Sequence, residues 1–260
     1  MDEKHRYTEL VAKLGANGDP KLEAAAGFAA RLLASPAGNL VARIVLFGSV
    51  ACGEARPDSD IDVLVIGMED LQALREQSSA IASALLLEEG QLISPIVYGL
   101  TEAEYPSTWF LYHSLRSGRE VFRMEESELR RREAQGWWAL AVEYLQQAQR
   151  AGQDGSFRLA VDGAYNAAEL AVKGLLILRL ERLPTSHGGL VQIFSREYIA
   201  TGEVDRLIGH CLSTSLELRS RARYIREAEV TAEHVTQVAT LAQKLIDLLE
   251  KTLSSLEQQL

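Results

Sequence analysis

The chain is poor in cysteine: Cys52 and Cys211 are its only two in 260 residues, too few for a disulfide scaffold and in keeping with a reducing cytosol. No apolar run approaches the roughly 18 residues of a membrane span, and the opening MDEKHRYTEL lacks the apolar stretch of a signal peptide. A cytoplasmic protein with no membrane partner is the expectation. Internal repeats and low-complexity tracts are missing too. So is any basic excess: 27 Lys and Arg face 36 Asp and Glu, a net charge of -9 that counts against a general nucleic-acid binder and makes RNA an unexpected partner. What is present is ordinary for a globular protein, 47% hydrophobic and 24% charged residues, which excludes wholesale disorder. At roughly 150 residues per domain the length implies one to two domains.

The acidity is uneven. Residues 1–126 carry 11 basic and 19 acidic side chains, whereas 127–260 carry 16 and 17. The two parts also differ in period. In the first, Asp19-Pro20 reads as an N-cap and first helical residue, opening a helix through about Leu33. Val41–Phe47, Ile61–Ile66 and Leu92–Tyr98 read as strands, and about Asp70 to Leu87 as a helix with Leu71, Leu74, Ser78, Ile81 and Leu85 at helical spacing. Thr101-Glu-Ala-Glu104 has the pattern of a capping box and predicts another helix start. From about Ser127 the strand signals stop. Helices are expected over 127–151, 157–183, 190–200, 203–226 and 231–256, the last with an apolar stripe from Val235 to Leu249. The expected class is α+β: a mixed sheet with helices over 1–126, then an all-α bundle over 127–260.

The chemistry concentrates in FGSVACGEARPDSDID, residues 47–62. Asp60 and Asp62 stand one residue apart at the head of a strand and so project to one face. Two adjacent carboxylates repel unless a cation lies between them, and hard oxygen ligands suit Mg²⁺ held together with substrate phosphates. Gly48-Ser49 ends the preceding strand, and glycine there lets a phosphate approach the backbone closely while the serine offers a hydroxyl. Alone, Gly-Ser is a common turn and Asp-x-Asp a common solvated loop. Together, between two strands, they form a phosphate cradle and a metal site, the equipment of nucleotidyl transfer.

This segment resembles the signature of the DNA polymerase β-like nucleotidyltransferase superfamily, in particular its minimal nucleotidyltransferase branch, over about residues 35–125. The resemblance implies Gly48 and Ser49 as nucleotide-binding residues, Asp60 and Asp62 as catalytic metal ligands, Mg²⁺ as the cofactor and an NTP, ATP first, as substrate. It also implies a third carboxylate on a later strand. Residues 91–98 contain no acid, Ser94 standing near the expected place, with Glu88, Glu89, Glu102 and Glu104 only flanking.

In the second part, AYNAAELAVKGLL (164–176), LPTSHGG (183–189) and LRSRARYI (218–225) resemble the HEPN family of helical bundles. Many members are ribonucleases with an Arg, four to six intervening residues and then a His on one helix. Here Arg219 and Tyr224 keep the spacing, but tyrosine cannot shuttle protons near neutral pH as histidine does. Arg206 and His210 are set too close. Arg219, Arg223 and Arg226 are expected on one face, His187 in a structural turn, Lys173 at the surface, Trp137, Trp138 and Tyr144 in packing, and Cys52 without a role. The resemblance implies a homodimer through the bundle and two acceptor classes for the nucleotidyl group. One is a protein tyrosine, as in toxin–antitoxin pairs, with Tyr224 the candidate. The other is a small molecule such as an aminoglycoside. A non-catalytic nucleotide-binding or interaction module and a ribonuclease are the alternatives.

Overall fold

The computed structural model describes residues 3–16 and 18–258, without the side chain of Glu257. It divides into two compact units, Met1–Glu125 and Glu126–Leu260. Among the described residues no helix is long and apolar enough to cross a membrane.

The first unit is built on four strands: β1 (Val41–Phe47), β2 (Ile61–Gly67), β3 (Ile93–Gly99) and β4 (Arg119–Arg123), in the order β3-β2-β1-β4. β1 pairs antiparallel with β2 and β4, and β2 pairs parallel with β3. The nearly unbroken apolar sequences of β1 and β2 reflect burial of these central strands on both faces. On one face Ile44, Leu46, Ile61, Val63 and Val65 form a core with residues of α1 (Glu3–Leu14), α2 (Pro20–Ala34) and α4 (Leu71–Glu89). α2 fits because it is rich in small residues, with Ala24, Ala25, Ala26, Ala29 and Ala30 all buried. Its start follows the sequence: Asp19 accepts from the backbone N–H groups of Lys21 and Leu22, and Pro20 takes the first turn.

On the opposite face Val45, Phe47 and Leu64 pack with Leu111 of α6 (Trp109–Ser117), and Asp62 and Ser94 stand at the sheet end level with Phe47. The sequence reading omitted α1, α6 and β4. It also placed a cap at Thr101. The helix there, α5 (Leu100–Glu104), is instead capped at Gly99, whose N–H donates to Glu102 at 2.9 Å.

The second unit contains α7 (Glu126–Gln153), α8 (Phe157–Ile177), α9 (His187–Phe194), a π-helical turn (Ser195–Ile199), α10 (Arg206–Tyr224) and α11 (Ala232–Glu257). α8 is the central helix. Its Ala160, Ala164, Ala167, Ala168 and Ala171 are buried, and a side chain at Gly174 would collide with Leu249 of α11. Small residues thus set the close helix approach. The Arg158 guanidinium donates to the carbonyls of Ala222, Ile225, Arg226 and Ala228 at 2.6–2.9 Å, capping the end of α10. Tyr198 donates to the Leu175 carbonyl at 2.6 Å, and burial pushes its phenol up to about 12.

Candidate active site

β1 ends at Phe47 and the chain turns at once into a five-residue helix, α3 (Gly48–Cys52). The turn requires a left-handed residue, and Gly48 has φ +71°. Glycine is needed twice over, because a Cβ at this position would strike Oδ2 of Asp62. The Gly48 backbone therefore lies directly against a carboxylate. α3 closes at Gly53, and the Glu54 N–H donates to the Ser49 carbonyl at 2.9 Å.

The loop to β2 is held at its far end. Arg56 and Ser59 exchange hydrogen bonds of 2.9 and 3.0 Å, and the Lys21 ammonium, from the first turn of α2, donates to the Ser59 carbonyl. Asp60 follows, then β2, where Asp62 lies in register with Phe47 on one side and Ser94 on the other. Ser94 Oγ donates to Asp60 Oδ2 at 3.1 Å. The structure thus gathers Gly48, Asp60, Asp62 and Ser94 at one end of the sheet, with Ser49 next in the chain. Burial, then the charge of Asp60, pushes the Asp62 carboxyl above the usual carboxylate range.

These residues fit a divalent cation bound with a triphosphate. Two half-buried carboxylates at one sheet end raise each other's energy, and a cation between them reverses that. The glycine leaves room that any side chain would fill. Among the described residues no group of three or more His, Cys, Asp or Glu is arranged to hold a metal. The remaining ligands would be phosphate oxygens and water, the usual situation of Mg²⁺ beside one or two carboxylates. Three of the four flanking acids are engaged elsewhere: Glu88 and Glu89 pair with Arg31 at 2.8 and 3.6 Å, and Glu102 caps α5. Cys52 is exposed and free.

The candidates of the second unit are arranged differently from the sequence reading. Arg219 is 5% exposed; its Nε donates to Asp162 at 2.9 Å, and its guanidinium lies 5.9 Å from the centre of the Tyr165 ring. Tyr224 is 72% exposed, about 140° around α10 from Arg219 at 100° per residue. Five-residue spacing does not make a shared face, so the two do not form one site. Arg223 joins Arg219 on Asp162 at 3.6 Å, whereas Arg226 lies past the helix end and pairs with Glu227 at 3.0 Å.

His187 is the first residue of α9 and pairs through Nδ1 with Glu169. Lys173 reaches the same carboxylate at 3.2 Å and lies over the Trp137 ring, so it is not a free surface lysine. Glu169, 8% exposed, is a hub that the sequence reading missed. Its signal was the helical spacing of Asp162, Tyr165, Glu169 and Lys173 along a largely apolar helix. Burial and the Glu169 charge push the Tyr165 phenol well above its ordinary value.

Comparison with known proteins agrees with this division. The nucleotidyltransferase domain family matches residues 31–108, and the HEPN domain family matches residues 134–252. A Methanocaldococcus jannaschii protein named "Putative toxin" is 26% identical over 126 residues, 48% of this chain and 92% of its own. A second protein of that organism, named "Putative protein adenylyltransferase", is 41% identical over 61 residues, which are 23% of this chain and 61% of its own. A UPF0332 protein of Thermotoga maritima is 26% identical over 122 residues, 47% of this chain and 92% of its own. The chain therefore carries a nucleotidyltransferase domain followed by a HEPN domain.

Proposed function

We propose that the first unit binds a nucleoside triphosphate with Mg²⁺ and transfers its nucleotidyl group to a hydroxyl acceptor, ATP being the expected nucleotide and a protein tyrosine the expected acceptor. One observation carries the reading: a left-handed Gly48 backbone lies directly against the Asp62 carboxylate, beside Asp60. That close approach supports reading this sheet end as a phosphate cradle beside a metal-holding pair.

Asp60 and Asp62 would hold the metal, which when bound supplies positive charge to the triphosphate and the departing pyrophosphate. The chain's own residues do the rest. Gly48 admits phosphate oxygens to the backbone and Ser49 offers a hydroxyl. Ser94 occupies one oxygen of Asp60 and so orients the other, while Lys21 fixes the turn that delivers Asp60. In the transfer, the acceptor oxygen bonds to the α-phosphorus, the bond to the pyrophosphate oxygen breaks, and the hydroxyl proton passes to water.

β3 offers no carboxylate for that proton, which favours an acceptor that ionises more readily, a phenol over a sugar hydroxyl. Tyr224 qualifies as an exposed phenol. The relative named as a protein adenylyltransferase supports ATP and a protein acceptor. A cytoplasmic homodimer formed through the helical unit is the assembly we expect, which light scattering tests.

Serine in place of the third acid favours a second reading, a nucleotide-binding module of toxin–antitoxin type without transfer. Incubation with Mg²⁺ and α-labelled ATP separates the two. Transfer predicts label on protein, lost in Asp60→Asn and Asp62→Asn and reduced in Tyr224→Phe. Binding without pyrophosphate release, across an acceptor panel that includes aminoglycosides, supports the second reading. The geometry of α10 does not support the ribonuclease alternative, since Arg219 is engaged by Asp162.

A further inference from the structure

Aromatic residues are scarce here, yet of six Phe, three Trp and eight Tyr, four fall within residues 105–112. All four are exposed: Tyr105 73%, Trp109 75%, Phe110 43% and Tyr112 40%. Exposing this much apolar ring is costly unless something covers it. At 100° per residue, α6 separates them. Leu111 points at the sheet, whereas Trp109 and Tyr112 lie on the outer side, their ring centres 5.5 Å apart, with His113 stacked on Trp109 at 6.0 Å.

Phe110 is the one that reaches the site. Its ring meets Phe47 edge-on, centres 5.5 Å apart and planes at 80°. Phe47 directly precedes Gly48 and is the register partner of Asp62. It is itself 8% exposed and packed with Val45, Leu64 and Leu111, so it gives Phe110 a rigid backing. Beside a cradle for phosphates there thus stands a flat, backed and partly open apolar ring.

We propose that Phe110 is the shelf on which the base of the bound nucleotide stacks. The inference rests on the nucleotide-binding reading above and adds the contact that separates a nucleotide from a bare polyphosphate. Stacking on an aromatic ring tolerates any base, because every base has a π-face. Phe110 accordingly contributes affinity for the nucleoside without choosing among bases.

Titration calorimetry with Mg-ATP and, in parallel, Mg-tripolyphosphate tests this on the full chain. Phe110→Leu keeps apolar bulk against Phe47, Phe110→Tyr keeps the ring, and thermal melting monitors folding. We expect Phe110→Leu to weaken Mg-ATP about tenfold, Mg-tripolyphosphate to be unaffected, and Phe110→Tyr to match the wild type. Mg-GTP and Mg-CTP are expected to show the same loss. Undiminished Mg-ATP affinity in Phe110→Leu, or an equal loss for tripolyphosphate, overturns the shelf while leaving the site reading intact. Failure of the wild type to bind either ligand overturns the site reading and the shelf with it.

Discussion

In the first unit, Asp60 has a serine hydroxyl as its partner and Asp62 lies against a glycine backbone, whereas in the second unit Asp162 faces Arg219 and Arg223 and Glu169 faces His187 and Lys173. Both pairs of acids are partly or largely buried, yet among the described residues only those of the second unit are paired with cations. A buried charge with a resident counter-charge is part of the fold, and removing one member is costly. Two half-buried like charges paired with neutral groups carry an electrostatic cost that a bound cation relieves. The contrast sets the front pair apart, and it gives the uneven charge of the sequence, -8 against -1, a local meaning.

Removing charge should therefore act in opposite directions in the two units. The largest effect on stability is expected from Arg219→Ala, which takes the closer cation from a half-buried Asp162 and should cost about 3 kcal/mol in urea denaturation. A cost near zero would show that Arg223 alone suffices and would weaken the comparison. Gly48→Ala comes next. Its left-handed backbone and the collision with Asp62 predict a loss of about 1–2 kcal/mol, with Mg-ATP affinity falling alongside. Wild-type stability and affinity in this variant would contradict the close approach.

The smallest effect has the opposite sign. Asp62→Asn should raise the melting temperature near neutral pH, by roughly 1–2 °C. Burial and Asp60 raise the folded-state pKa of Asp62, so the folded protein holds this proton more tightly than the unfolded chain does. The cost is absent below the unfolded carboxylate value of about 3.9 and complete above the raised folded value. The gap between variant and wild type should thus open as pH rises through that window, and Mg-ATP should close it at neutrality by stabilising only the wild type. A variant less stable than wild type at every pH would break the comparison.

Much of the candidate front site was legible because its residues are local: sixteen positions, 47–62, contain the left-handed turn and both carboxylates. Asp19 as a cap, the strands β1 to β3 and the helical second part were legible for the same reason, since each depends on short-range spacing. The misses are long-range. Lys21 reaches Ser59 across 38 positions, and Arg219 reaches Asp162 across 57. His187 reads as a turn residue until α8 brings Glu169 beneath it. β4 is five residues long, REVFR, with only two apolar side chains, and it is a strand because β1 supplies its hydrogen bonds. The Arg219–Tyr224 pair does not share a face because five residues carry α10 about 140° round, leaving Arg219 buried on Asp162 and Tyr224 exposed.

The central claim is that Asp60 and Asp62 hold a metal–triphosphate where no cation among the described residues forms an ion pair with either carboxylate. Paramagnetic resonance of Mn²⁺, titrated into the protein with a non-hydrolysable ATP analogue, measures this directly. We expect one Mn²⁺ bound per chain only when the nucleotide is present, and an affinity lower by on the order of a hundredfold in the Asp60→Asn, Asp62→Asn double variant. Equal Mn²⁺ binding by that variant and the wild type would contradict the account.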